Sequence, residues 1–136
     1  MIVVDTSVLS LAFRRPVTRQ PHPAATELRR LVLGDETVAL PGVTLQEILS
    51  GVRSVESFNG LLAHLEGFPL LLATAADHAL AAQIRNGARA AGIAVGTIDA
   101  LIAAQTISAR ARLFAADKDF SRIAALSELK VYEFAR

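Results

Sequence analysis

Cysteine and tryptophan are absent from the chain, and tyrosine and methionine occur once each. Without cysteine there is no disulfide, no zinc–thiolate site and no cysteine nucleophile. Aromatic residues make up 5% of the sequence, and none are interleaved with basic residues as a base-stacking platform requires. Long apolar runs are missing too. The longest stretches without a charged residue, such as Thr37 to Gln46 and Ala100 to Ala109, are ten residues long, about half of what a membrane-spanning helix needs. No basic segment precedes an apolar run at the N-terminus, where Asp5 interrupts the apolar residues. No secretory signal is visible, and a cytoplasmic location is the default expectation. No G-x-S-x-G elbow is present. The three histidines, His22, His64 and His78, carry no local acid–base motif, which argues against a metal-free nuclease.

What is present is apolar. Hydrophobic residues reach 52%, mostly Ala, Leu, Val and Ile, with a mean hydropathy of +0.41. At 136 residues the chain is long enough for one domain, residues 1–136, with a real core. The apolar excess implies surface patches kept for a partner, most simply a second copy of the chain. Net charge is +1 and decides nothing by itself, but Arg14, Arg15 and Arg19 cluster with no acid between Asp5 and Glu27.

Apolar runs alternate with helical patterns, which points to an α/β fold with a mostly parallel sheet. Strands are expected at Ile2–Asp5, Thr37–Leu40, Leu70–Ala73, Arg112–Ala116 and Lys130–Phe134. Helices are expected at Ser7–Phe13, Ala24–Leu33, Leu45–Val52, Val55–Glu66, Ala75–Ala91, Ile98–Ala109 and Phe120–Leu126. Between the first two helices, the proline-broken RRPVTRQPHP reads as a loop.

The thirteen acids sort by context. Most lie near element ends or on polar faces. Asp77 closes a capping box with Thr74. Asp5 and Asp117 end two apolar runs, IVVD and LFAAD. In parallel sheets ligands gather beyond the carboxyl ends of strands, where strand order reverses; if those two strands are neighbours, both acids meet at one rim. Glu47 and Asp99 sit in first turns of helices that could face the same rim. Each acid also has a plain structural explanation. Glu47 could close a capping box with Thr44, Asp99 could favour the helix dipole, and Asp119 could cap the helix begun by Phe120. Four converging carboxylates would repel one another and raise their pKa values. A divalent cation such as Mg²⁺ or Mn²⁺, which prefers carboxylate and water oxygens, removes that cost.

Four segments, VVDTSVL, PGVTLQEILSGV, GTIDALIAAQTI and LFAADKDFSRIA, occur in an order that resembles the PIN domains, and more narrowly the VapC-type toxins of bacterial toxin–antitoxin pairs. The resemblance implies a three-layer sandwich with a mostly parallel sheet of about five short strands. It places an acidic quartet on Asp5, Glu47, Asp99 and Asp117, with Asp119 as a further acid. Thr6 and Ser7 match hydroxyls that support the first acid. The family pattern has Thr or Ser where this chain has Ala115, which puts full activity in question. The implied activity is a metal-dependent endoribonuclease, with Mg²⁺ or Mn²⁺ held by the quartet and attack by metal-activated water leaving a 5′-phosphate and a 3′-hydroxyl. Arg14, Arg15 and Arg19 are candidate phosphate contacts.

The resemblance also implies a homodimer and a small antitoxin docking beside the cleft, with helices Ser57–Leu65 and Ala75–Ala91 offering apolar faces. Two alternatives stand beside this reading. One is a catalytically weakened domain that binds RNA or protein. The other is an Asp-phosphorylated phosphotransfer domain, which fits less well because the position two after Asp5 is Ser7 rather than a second acid.

Overall fold

The computed structural model describes residues 1–14 and 20–134. Four short strands, β1 (Ile2–Val4), β2 (Val38–Pro41), β3 (Leu70–Leu71) and β4 (Arg112–Phe114), form one sheet in the order β3-β2-β1-β4. All pairings are parallel, with Ile2 opposite Val38, Val3 opposite Leu113 and Leu40 opposite Leu70. Seven helices join them: α1 (Thr6–Leu9), α2 (Pro23–Leu33), α3 (Gly42–Leu49), α4 (Val55–Leu65), α5 (Ala75–Ala90), α6 (Thr97–Ser108) and α7 (Asp119–Leu126). A π-helical turn, Ser10–Arg14, extends α1. The chain starts at the middle of the sheet, builds outward through β2 and β3, then returns to place β4 on the other side of β1. Strand order therefore reverses between β1 and β4, the position where α/β sheets form a crevice.

The pleat sends alternate strand residues to opposite faces. Ile2, Val4, Leu40 and Phe114 join Val8, Leu9, Leu28, Ile48, Leu61 and Leu65 in one buried cluster, beneath α1 to α4. Val3 and Leu113 point the other way, into Ala81, Ile84, Ala100, Ile102, Phe120 and Ile123 of α5, α6 and α7. Helices thus cover both faces, giving the three-layer arrangement. In α6, Ala100, Ala103 and Ala104 are fully buried, and their small side chains let the helix press against the sheet and α5. Such a helix is apolar nearly all round because it is covered nearly all round.

Several boundaries differ from those expected. The segment Lys130–Phe134 forms no full strand. It makes a single parallel bridge, Leu113 to Val131, and Tyr132 and Phe134 meet the Phe114 ring edge-on at 5.4 and 5.0 Å. The sheet therefore has four strands rather than five. The apolar stripes of Ser57–Leu65 and Ala75–Ala91 are also largely used inside the molecule: Leu61, Leu65, Ala81, Ile84 and Ala88 are buried. The large apolar residues left exposed, among them Leu33, Val55 and Leu72, are distributed over separate elements. Much of the hydropathy that suggested partner-facing patches is core.

The helix expected at Leu45 begins at Gly42, with extended Pro41 before it and no side-chain cap. Pro41 ends β2 and supplies the fixed φ that turns the chain into α3. Thr44 consequently lies inside the helix, fully buried, and its hydroxyl has no hydrogen-bond partner. An unpaired buried hydroxyl keeps its desolvation cost. Thr44→Val should raise stability by about 1 kcal/mol in urea denaturation, whereas a loss would reveal a partner for the hydroxyl.

Candidate active site

Asp5 follows β1 directly and is only 4% exposed. Its backbone N–H donates to the Phe114 carbonyl at 2.9 Å, continuing the β1–β4 ladder by one rung. Its extended backbone and its side chain start α1: carboxylate oxygen Oδ2 accepts from the Ser7 N–H at 3.1 Å and the Ser7 hydroxyl at 2.6 Å. The same hydroxyl accepts from the Ala116 N–H at 2.9 Å. Ser7 therefore ties the end of β1 to the chain leaving β4. Burial pushes the Asp5 pKa up; its hydrogen bonds to Ser7 and Thr6 oppose that rise, and the charge of Glu47 adds to it.

Glu47 reaches the same region from α3. It is half-buried, and its Oε1 accepts from the Thr6 hydroxyl at 2.8 Å. The capping box expected from Thr44 and Glu47 does not form, since Thr44 is not at the helix start. Glu47 is thus held by a contact 41 residues away in sequence rather than by its own helix. By contrast, the Thr74–Asp77 capping box is present on α5, with reciprocal bonds of 2.9 and 3.1 Å.

Asp99 lies in the first turn of α6 and makes no capping bond there. Burial raises its carboxyl to about 6, assisted by the negative charges of Asp5, Asp117, Glu47 and Asp119. All four other candidate acids act on one carboxylate. Asp117 stands beyond β4, and its Oδ1 accepts from the Asp119 N–H at 3.2 Å, closing the turn into α7. Partial burial and then the charge of Asp5 push its pKa up; the Asp119 N–H acts in the opposite direction. The expected capping by Asp119 is not seen: α7 begins at Asp119 itself, without a side-chain cap.

Among the described residues, no group of three acids stands at the spacing of a closed metal shell. The donor chemistry nonetheless suits a hard divalent cation, with carboxylate oxygens in excess and pKa values raised first by burial and then by neighbouring carboxylates. Mg²⁺ in particular keeps several waters and needs only one or two direct carboxylates. Ala115, where the family pattern has a hydroxyl, is buried. The neighbouring Ala116 N–H is satisfied by Ser7, so the end of β4 is held without that hydroxyl.

Arg14 is exposed at the far end of the π turn, on the order of 10 Å along the helix from Asp5, and its guanidinium reaches toward Gly51. Arg15 and Arg19 lie outside the described residues. A different arginine shares the acidic cleft. Arg122 of α7 lines one cavity with Asp99, Asp119 and the Ile93–Gly96 segment. The sequence carried a signal for it, since Arg122 lies three residues after Asp119 and therefore on the same side of one helix.

The PIN domain model matches residues 2–126. A VapC ribonuclease of Mycobacterium bovis and the ribonuclease VapC11 of Mycobacterium tuberculosis are each 36% identical over 137 aligned positions, covering 98% of this chain and 99% of theirs. Among solved structures, FitAcB of Neisseria gonorrhoeae aligns with a TM-score of 0.74 at 26% identity, over 98% of this chain and 97% of that one. The VapBC2 structure of Rickettsia felis, bound to a DNA fragment from its promoter, aligns with a TM-score of 0.79 at 19% identity over 99% and 100%, a likeness of fold. Near-complete coverage in both directions, together with acids gathered at the β1–β4 crevice, shows that the chain belongs to the PIN domain family, in its VapC ribonuclease branch.

Proposed function

We propose that this chain is an endoribonuclease that uses Mg²⁺ or Mn²⁺ and serves as the toxin of a toxin–antitoxin pair. The observation that carries the reading is geometric: Ser7 joins the Asp5 carboxylate to the chain leaving β4 and Thr6 holds Glu47 beside it, while burial first, and then the charges of Asp5, Asp117, Glu47 and Asp119, raise the Asp99 carboxyl to about 6. Acids from four separate parts of the chain share one field at the strand-order reversal, an expensive arrangement for a fold that gains nothing from it. The similarity to VapC ribonucleases over nearly the whole chain supports the substrate class. The likeness in fold to structures described as a toxin–antitoxin complex and as a member of the VapBC family of toxin–antitoxin systems supports a small protein partner, and a homodimer is part of the same reading. No helix among the described residues is long and apolar enough to cross a membrane; action on cytoplasmic RNA is part of the same proposal.

Asp5, Asp99 and Asp117 would hold the cation directly or through water, with Glu47 completing the set. Bound there, a divalent cation lowers the pKa of water and stabilises charge on the phosphate. The protein's own groups do the positioning. Ser7 aims the Asp5 carboxylate and fixes its distance from β4, while Thr6 holds Glu47 toward the same crevice. The catalytically weakened alternative rests on Ala115, which lacks the hydroxyl that could help hold metal, water or phosphate; the retained Asp5, Glu47, Asp99 and Asp117 support the active reading.

With mixed RNA and millimolar Mg²⁺ or Mn²⁺, cleavage should stop in EDTA and fall by about a hundredfold or more in Asp5→Asn or Asp99→Asn. Products should carry 5′-phosphates. Cleavage persisting in EDTA, or undiminished in both variants, rules out the mechanism.

Thr6→Ala leaves the carboxylates in place and frees Glu47. A drop of about tenfold in activity or metal affinity is expected, read by titrating Mn²⁺ against cleavage rate and against thermal stability.

Because Asp99 titrates near 6 in the folded chain and near 3.9 when unfolded, the folded state holds the proton more tightly. Stability of the metal-free protein should decline as pH rises from about 4 to about 6, then level off. Asp99→Asn should flatten that slope and stabilise the metal-free protein at pH 7 by about 1 kcal/mol, the value reduced for solvent screening of a half-buried group. Urea denaturation in EDTA across this range measures both effects.

A further inference from the structure

The cavity that holds Asp99, Asp119 and Arg122 has a volume of about 290 Å³, and a second cavity of about 310 Å³ adjoins it. Both are lined by Ile93, Ala94 and Val95, so the α5–α6 connection forms a shared wall between them. The second cavity contains Arg85 and Arg89 and no acid. These arginines lie four residues apart on α5 and so project from one side of it. Arg85 is half-buried and donates from Nε to the Val95 carbonyl at 2.9 Å, which fixes the plane of its guanidinium and leaves the terminal nitrogens for another acceptor. Arg89 and Arg122 are exposed. Among the described residues, none of the three arginines forms an ion pair with an acid.

An unpaired cation beside an acidic cleft is informative. A polyanion approaching five carboxylates is repelled except where metal and side chains oppose that charge. We propose that Arg122, within the acidic cavity, and Arg85 with Arg89, across the Ile93–Val95 wall, form a two-part phosphate subsite that holds the RNA backbone to one side of the cleavage point. This rests on the ribonuclease reading above and adds the direction in which the substrate leaves the cleft. Guanidinium groups suit the task because they bind phosphate oxygens through paired N–H donors and stay charged at any working pH. The short apolar wall between the cavities gives the strand a surface to cross, and the arginines on either side anchor it.

Arg89→Gln and Arg122→Gln are the informative variants, because neither side chain holds another part of the fold in place. Binding of a fluorescent single-stranded RNA oligonucleotide is measured by anisotropy in EDTA over a range of salt, and metal-dependent cleavage is measured separately. Each variant should weaken binding about three- to tenfold and lower the salt slope by about 0.7, the value for one lost phosphate contact on a single strand. In cleavage, Arg89→Gln should raise KM and leave kcat near that of the unaltered protein. The double variant Arg29→Gln/Arg53→Gln removes the same kind of charge from exposed positions elsewhere on the surface and should have little effect. Equal losses in that control, or unchanged affinity and salt slope in both test variants, overturn the subsite. The two readings separate cleanly. Arginine-dependent RNA binding without any metal-dependent cleavage keeps the subsite and removes the nuclease, whereas cleavage indifferent to the arginines does the reverse.

Discussion

Placing Asp5 in a nearly water-free position at the end of β1 is unfavourable unless donors surround it, and the organisation of the site follows from how that cost is met. The Ser7 N–H and hydroxyl both donate to one carboxylate oxygen, and the hydroxyl in turn receives the Ala116 N–H. One residue thereby supplies two donors to the acid and fixes the exit of β4, while the Asp5 carboxylate caps the start of α1. Without the parallel pairing of β1 and β4 the hydroxyl would have no second partner. The acids at the two strand ends would then have no fixed separation.

The layers on either side of the sheet serve this same edge. On one face, α3 leaves β2 through Pro41 and carries Glu47 to within reach of Thr6. On the other, buried alanines let α6 lie close to the sheet, which brings its first turn and Asp99 to the crevice. Large side chains at those alanine positions would displace the helix and its carboxylate together. Packing and chemistry are therefore coupled through residue size as much as through charge.

Much of this was legible in the chain, and the illegible parts have physical reasons. The strand-end acids stood out because apolar runs rarely finish on a carboxylate, and the resemblance in four ordered segments tied them to Glu47 and Asp99. Strand order could not be read, since nothing local in IVVD or LFAAD specifies a neighbour; tertiary packing decides that. The start of α3 was misplaced because Thr44 and Glu47 have capping-box spacing, yet Pro41 already sets the helical entry three residues earlier. The Lys130–Phe134 segment has strand-like composition, yet its pairing stops at one bridge while its aromatic rings pack on Phe114, and nothing local in the sequence specifies how far the ladder runs. The spacing of Arg122 from Asp119 puts the two on one side of α7, but its role depends on the cavity it lines, which only the folded chain creates.

The pairing of the first strand with the fourth has a kinetic corollary. More than a hundred residues separate Val3 from Leu113, so this contact closes one of the longest loops the chain can make, and contacts of that kind tend to form late. During synthesis the ribosome would release β4 only after most of the molecule had emerged. A partly made chain can assemble helices and pair β1, β2 and β3, but Asp5 lacks its β4 neighbour and Asp117 has no fixed position. A hydrolytic activity dangerous to its own cell is in this way withheld from every incomplete copy, by the order in which the polypeptide becomes available to fold.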